Sequence, residues 1–474
     1  MGQKRNIHPI LTAAVLSALG FGLLFIFSTL GLGTRWLIVI IILVIGYSFF
    51  RIIVEKELFL LGIMLFLIPY AVGFVYIWVT KSDMIFAFDV ILFFLYLNWF
   101  FEAHGSKFEP LYVDKLTIPA LLMLIWSSLS VFIAVSQIAS GFAVFMLFKA
   151  FLVYFYISNR VTNKEQLRVI VDFLLIGLFI QGTIGVFQKA LGRPLGLVFL
   201  GEVQRRLWFK LARMSGTLGF PNQYAAYLVL LLPMAISLFI FTKEKVKKLW
   251  YALVTGAGLL GLLFSLSRSA WIGLICGVIV LFLLITKNQK LNPKLFWIVV
   301  AVMGIILVIG VVFRDLISLR LESSQSEEYR WLMIKIAFPI ILANPILGVG
   351  LFNYQFHSFP IFNFWQPVHN DYLRLAAETG LPGLFFFLWF VFCVFREANR
   401  ASKMRDRYLS AVAFGIFGGY TAFLISIMFG PQYQHYRQKF LFWVLAGSAV
   451  ALKRIRRTEI LKSHRKSSNE NSND

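Results

Sequence analysis

Two arginines and one histidine stand out by residue type and setting. Arg213 heads the run RMSGTLGFPNQ, in which Gly216 and Gly219 allow close backbone approach and Pro221 suits the first turn of a following helix. A helix start offers free N–H groups and a partial positive charge, and a guanidinium beside it matches phosphate oxygens in pairs. Arg268 lies in SLSRSAW, at a tight corner between two apolar runs, within reach of the same kind of anion. His369 opens HNDYLRLAAETGLPG. An accessible imidazole near neutral pH can take a proton from a hydroxyl. Together these types offer a place for phosphate oxygens and a base for a hydroxyl.

Each has a plainer alternative. Arg213 and Arg268 also suit the membrane interface, where arginine extends its charge toward headgroups or caps a helix. A loop histidine is most often structural. If the segment after His369 is helical, Asp371, Arg374 and Glu378 share one face at i, i+3 and i+7, the spacing of a salt-bridged structural trio. His357, in an aromatic stretch, reads as structural. Asp89, Lys149 and Asp172 fall within apolar runs, where ionisable residues are costly. Lys149 and Asp89 are expected to form a tie, and Asp172 to be wet near a helix end.

The elements that must position these residues are set by the solvent. Of the 474 residues, 59% are hydrophobic and 14% charged, against about 25% charged in soluble domains. The solvent is therefore lipid, and the expected fold is an all-α polytopic membrane protein. About 20 apolar residues cross a bilayer, and about 14 such spans can be marked, with 12 as the lower bound. They fall near 10–30, 36–50, 58–79, 84–101, 116–135, 141–158 and 169–190, then 223–241, 249–266, 269–286, 295–313, 381–395, 408–428 and 438–452. The first is too long for a signal-peptide core and is expected to stay as a helix. Residues 1–200 read as N-terminal spans, 201–395 as the region of the motifs, 396–462 as C-terminal spans with a basic end, and 463–474 as a disordered tail.

The net charge of +23 suits cytoplasmic loops at an anionic leaflet, and nucleic acid is not an expected partner. With the N-terminus inside, the inward segments hold roughly twice the Lys and Arg of the outward ones, which favours both termini in the cytoplasm. Two outward loops break the pattern. Residues 191–222 carry Arg193, Arg205, Arg206, Lys210 and Arg213 against Glu202, and 314–380 carry Arg314, Arg320, Arg330, Lys335 and Arg374. The first loop is short, so an outside anion is the natural reason for its charge. In the second, Ser324 to Glu327 forms a capping box. A helix from about Glu327 to Leu342 is expected to present Trp331, Ile334, Phe338 and Ile341 on one face and to lie on the membrane surface, before a turn at Gly348 and Gly350. Cys276 and Cys393 sit in apolar runs, with no disulfide framework or metal-ligand spacing.

The run RMSGTLGFPNQYAAYL, the SRSAW corner, the stretch from Arg330 through Asn344-Pro345 to Gly350, and HNDYLRLAAETGLPG resemble, in order and spacing, the O-antigen ligase/polymerase family. The resemblance spans roughly 200–395. It implies a membrane glycosyltransferase at the outer face of the cytoplasmic membrane, using a polyprenyl-diphosphate-linked glycan donor and a glycan or lipid acceptor. Membrane lipids surround it, and other polysaccharide-assembly proteins are expected partners. The resemblance assigns the diphosphate to Arg213 and Arg268 and the base to His369. Arg330 matches a recurrent arginine of open role, and Arg205, Arg206, Asp371, Tyr372 and Glu378 stand in supporting positions. It also implies an inverting reaction with no cofactor and no metal. A polymerase is favoured over a ligase. The competing classes are a lipid-linked glycan flippase or exporter and a protein O-oligosaccharyltransferase. A flippase would string ionisable groups along a central path, whereas here they gather on one outward face.

The topology has a direct test. A cysteine at Gln325 should react with an impermeant thiol reagent on intact cells, and one in the C-terminal tail should not. Labelling of the tail from outside would overturn the orientation.

Overall fold

A computed structural model describes residues 57–70, 73–77, 82–105, 111–202, 213–288, 325–362 and 368–470. The spans expected at 10–30, 36–50 and 295–313 lie outside these residues, as do Arg205 and Arg206. The chain divides into two compact units. The smaller includes the described residues 57–64 and 87–105, and the larger includes 65–86 and the described residues from 111 onward. The boundaries expected at 200 and 395 both fall inside the larger unit.

The smaller unit holds most of α1 (Glu57–Leu67) and α2 (Ala87–Gly105). The larger unit opens with a two-stranded antiparallel hairpin, β1 (Gly73–Ile77) and β2 (Ser82–Phe86). Then come α3 (Thr117–Leu129), α4 (Gln137–Arg160), α5 (Lys164–Leu191), α6 (Pro221–Phe241), α7 (Lys245–Ser265) and α8 (Arg268–Asn288). Helices α9 (Gln325–Ala343) and α10 (Tyr354–Phe362) precede α11 (Asp371–Ala401), α12 (Arg407–Ser426) and α13 (Tyr436–Glu470).

Seven helical segments among the described residues are long and apolar enough to cross a membrane: α4 to α8, α11, and α12 with its short extension to Phe429. Each overlaps an expected span. The architecture is that of an all-α membrane protein with one small hairpin. Large apolar side chains such as Phe132, Ile138, Leu253, Leu283 and Phe392 are exposed, as a lipid-facing surface requires. The centre is made by α6 and α13, whose residues 224–238 and 440–452 are buried throughout. Trp443 of α13 packs on Phe390 of α11 with ring centres 4.7 Å apart. Small residues let helices touch where apolar bulk gives no driving force: Gly419 of α12 lies against the Leu230 carbonyl of α6, and Gly277 of α8 against that of Gly418.

Local signals set the helix ends. Asn163 and Gln166 form a capping box on α5, Asp406 caps α12, and Asn370 accepts from the N–H of Tyr372 and Leu373 to start α11. Pro221 is the first residue of α6.

Helix α11 is broken. Gly380 has φ 70° and ψ 179°, a conformation essentially restricted to glycine, and a Cβ there would strike the carbonyl of Ile346. The break frees three carbonyls, and each finds a donor. Ala377 O accepts from Val349 N at 2.8 Å, Glu378 O from Gly350 N at 3.0 Å, and Thr379 O from Trp126 Nε1 at 3.0 Å. Leu381 N in turn donates to Pro345 O at 2.8 Å. The turn at Gly348 and Gly350, both at positive φ, is thereby stitched to the break.

Four expectations are corrected. The span drawn at 58–79 is a short helix ending at Leu67, followed by β1. Pro69 stops the helix, and Phe74, Val75, Tyr76 and Ile77 favour a strand. The tail drawn as disordered from 463 is helical to Glu470, because Lys, Arg and Glu sustain the helix of α13. Helix α9 buries Met333, Ile336, Ala337, Ile340 and Ile341 against Val349, Tyr354, Val368 and Ala376, while Trp331, Phe338 and Leu342 are exposed. Trp331 and Phe338 are thus at the surface as expected, and the correction is to Ile341, which belongs to the buried face. Finally, the trio on α11 is a pair: Arg374 Nε bonds Glu378 Oε1 at 2.9 Å, while Asp371 turns to another segment.

Gly380→Ala should cost about 1–3 kcal/mol in backbone strain alone. It is expected to lower the thermal unfolding midpoint of the purified protein in detergent. An unchanged midpoint would show that the break does not depend on glycine.

Candidate functional site

Helices α5, α7 and α12 end, and α6, α8, α11 and α13 begin, at the same end of the bundle, as the bonds between their termini show. The stretch 213–220, between α5 and α6, is held there by polar residues of α5. Gln188 Oε1 accepts from Gly216 N at 3.0 Å and Ser215 N at 3.3 Å, and its Nε2 donates to Gly216 O at 3.0 Å. Gln181 Oε1 accepts from Thr217 N at 3.1 Å, and its Nε2 donates to Thr217 Oγ1 at 2.8 Å. Thr217 Oγ1 reaches Pro69 O at 3.2 Å, which ties in the segment before β1. Gly216 has φ 55°, and a Cβ on it would meet Gln181 and Tyr224. Gln181 and Gln188 sit seven apart on one face of an apolar helix. They were legible as buried polar residues in a span, although no motif marks them.

This stretch carries Arg213 to the corner between α7 and α8. Met214 N donates to Phe264 O at 2.9 Å, and Arg213 Nε donates to Ser265 O at 3.1 Å. Arg213 Nη2 also donates to Asn222 Oδ1 at 2.8 Å. The corner turns at Leu266, a non-glycine residue at φ 50°, and Arg268 follows as the first residue of α8, half-buried. Arg213 and Arg268 are therefore brought to one corner. Glu202, the acid of the loop that carries Arg213, is committed elsewhere: its carboxylate accepts from Leu195 N, Leu197 N and Gln188 Nε2.

The third piece is the start of α11. His369 is half-buried, just before the cap Asn370. Asp371 is buried, and its Oδ2 accepts from Gln432 N at 2.7 Å and Tyr433 N at 2.8 Å. Tyr372 donates its hydroxyl to Leu424 O at 3.0 Å. Glu378 Oε1, besides Arg374, receives Tyr354 N at 3.4 Å. Arg330 is a backbone position on α9, ahead of the residues of that helix whose side chains are described.

The segment 430–438 joins these pieces, and it was not singled out in the sequence. Its Gln432 and Tyr433 hold Asp371. Its His435 Nε2 lies 2.7 Å from Gln223 Nε2. Gln438 Nε2 donates to Gln223 O at 2.6 Å, and Arg437 Nη1 to Thr217 O at 3.1 Å. A continuous path of bonds and chain thus runs from Asp371 through His435, Gln223, Asn222 and Arg213 to the Ser265 corner. Two basic residues, Arg437 and Lys439, at a helix start were the available signal. Burial pushes His435 down to about 3, and Arg374, Arg437 and Lys439 push it the same way. The ring is then neutral and can accept from the Gln223 amide. His357 is also lowered by burial.

At the other end of the bundle, Lys164 pairs with Asp406, whose pKa burial raises but Lys164 and the N–H groups of Leu409 and Tyr408 bring below the usual value. Lys149 is buried with its ammonium 5.2 Å from the ring centres of Phe86 and Phe145.

Residues 253–388 match the O-Antigen ligase family. The match supports the O-antigen ligase/polymerase-like resemblance, and it contains Arg268, Arg330, His369, Asp371, Tyr372 and Glu378 but not Arg213. No curated protein matches the chain.

His435 makes a testable contribution to stability. Its folded pKa lies below the unfolded value of 6.5, so the unfolded chain binds the extra proton between about pH 3 and 6.5. Stability is full above 6.5 and falls as pH drops through that window. His435→Gln should flatten the decline of the unfolding midpoint between pH 6.5 and 5. Identical profiles for both proteins would show that the ring is not held neutral.

Proposed function

We propose that this protein is a membrane glycosyltransferase that extends or transfers a polyprenyl-diphosphate-linked glycan for surface polysaccharide, at the outer face of the cytoplasmic membrane. The observation that carries this is the shared corner of Arg213 and Arg268, bonded through Asn222, Gln223 and His435 to the segment that anchors the helix start after His369.

The leaving group is a diphosphate, which needs charge neutralisation more than protonation. Arg213 and Arg268 supply it. His369 takes the proton from the acceptor hydroxyl. That oxygen attacks the anomeric carbon from the face opposite the diphosphate, the anomeric C–O bond breaks, and its electron pair leaves with the polyprenyl diphosphate. The configuration inverts, and no metal is needed for charge balance. Asp371, Tyr372 and Glu378 position the helix that follows His369. The preferred assignment is a polymerase, with a glycan as acceptor. The excess of Lys and Arg on inward segments supports placing both termini in the cytoplasm.

Arg213→Ala and Arg268→Ala should each abolish transfer by purified protein, with lysine rescuing poorly because a point charge lacks the fork. His369→Ala should lower the rate by about two to four orders of magnitude with donor binding intact. A ladder of products marks a polymerase, and single addition a ligase. Normal turnover in both lysine variants together with His369→Ala would rule out this mechanism.

A further inference from the structure

Beneath the turn that carries His369 lies a second cluster of charge, from which the transfer mechanism uses only Asp371 and Glu378, to position the helix. A cavity of about 50 Å³ is lined by Asp371, Arg374 and Glu378 of α11, by Gln434 and Lys439, and by apolar residues of α4 such as Met146. Arg374 is 2% exposed. Its Nε is bound to Glu378, but Nη1 and Nη2 are buried without a hydrogen-bond partner among the described residues. The buried Nε2 of Gln434 is in the same position. Lys439 is 6% exposed, with its ammonium 5.9 Å from the Tyr433 ring centre.

One oxygen of each acid in the cavity is occupied. Asp371 Oδ2 accepts from two backbone N–H groups, and Glu378 Oε1 from Arg374 and Tyr354 N. Of the groups lining the cavity, the buried atoms without a hydrogen-bond partner are N–H donors, the guanidinium edge of Arg374 and the amide of Gln434, with the Lys439 ammonium beside them. A guanidinium and an ammonium have no acceptor capacity, and buried donors of this kind are costly unless an acceptor meets them. A sugar hydroxyl would bring a donor of its own. A carboxylate brings two oxygens, no hydrogen, and a plane that matches the edge of the guanidinium.

We propose that this cavity binds a carboxylate carried on a sugar ring, so that the glycan handled next to His369 contains an acidic sugar. The assignment of the carrier as a glycan rests on the function proposed above, while the anion subsite rests on the cavity alone. The diphosphate is already assigned to the Arg213 and Arg268 corner. Charge disfavours a doubly ionised phosphate, because Asp371 and Glu378 stand in the same low-dielectric space. A single carboxylate leaves the ring outside, toward the first turn of α11.

The test does not depend on transfer. Purified full-length protein in detergent would be heated with tens of millimolar glucuronate, glucuronamide or inorganic phosphate, each at the same total ionic strength. Glucuronate should raise the unfolding midpoint by about 1–3 °C, and glucuronamide should not. Lys439→Met and, independently, Gln434→Leu should each reduce the glucuronate shift. Stabilisation by phosphate and not by glucuronate would overturn the carboxylate assignment. No shift with either anion, or equal shifts with glucuronate and glucuronamide, would overturn the subsite. A second arm compares transfer to a uronate-bearing acceptor and to the same acceptor with its carboxyl reduced. A preference of about tenfold or more for the acid is expected, and equal use of both would overturn the proposal. Glucuronate binding without transfer to either acceptor would instead sink the glycosyltransferase assignment and leave the subsite standing.

Discussion

The break in α11 at Gly380 is the constraint on which the site end depends. In a membrane every backbone carbonyl must find a donor within the protein, since unsatisfied groups cost several kcal/mol each in hydrocarbon. An interrupted helix is tolerable only where other segments supply those donors. Here the turn at 348–350 and the indole of Trp126 supply them. The same bonds that make the break possible therefore fix the turn after α9 onto α11. The short piece before Gly380 becomes a separate helix carrying Asp371, Arg374 and Glu378, distinct from the span after it. Asn353 extends the fixation by accepting from Ser136 N at 2.8 Å, at the start of α4.

The stretch bearing Arg213 follows the same economy by a different route. It has no helix or strand of its own, so its N–H and C=O groups are matched by side chains. Gln181 and Gln188 reach out of α5 to do this, and Glu202 spends its charge on two further backbone groups. Arg213 itself is held by the Ser265 carbonyl and the Asn222 amide oxygen. This polar scaffold fixes the backbone of the stretch that carries Arg213.

Much of this was legible in residue order. Pro221 opens a helix, Asn370 caps one, and Gly216 and Gly219 take positive φ, because each preference belongs to the residue itself. The placement of the motifs at helix ends on one side also followed from span counting. The pairing of Asp371, Arg374 and Glu378 was only half legible. Spacing on a helix brings Arg374 to Glu378, but it says nothing of a segment sixty residues away that offers Asp371 two N–H groups. The side of α9 that holds Ile341 was misjudged for a related reason. Nearly all its residues are apolar, so periodicity alone had no contrast from which to choose a face.

The sequence by itself determined the solvent, most of the described crossings and the residue types available for chemistry, since hydropathy, caps and glycine conformations act over a few residues. Only the tertiary structure decided which of those residues meet. It joined Arg213 to the corner beside Arg268, brought the 430–438 segment between that corner and α11, and left Arg374 and Lys439 facing a small cavity. The physical reason is that burial and the satisfaction of polar groups are settled between segments far apart in the chain. In a protein whose apolar residues face lipid and core alike, hydrophobic pattern does not identify those partners, and matched donors and acceptors do.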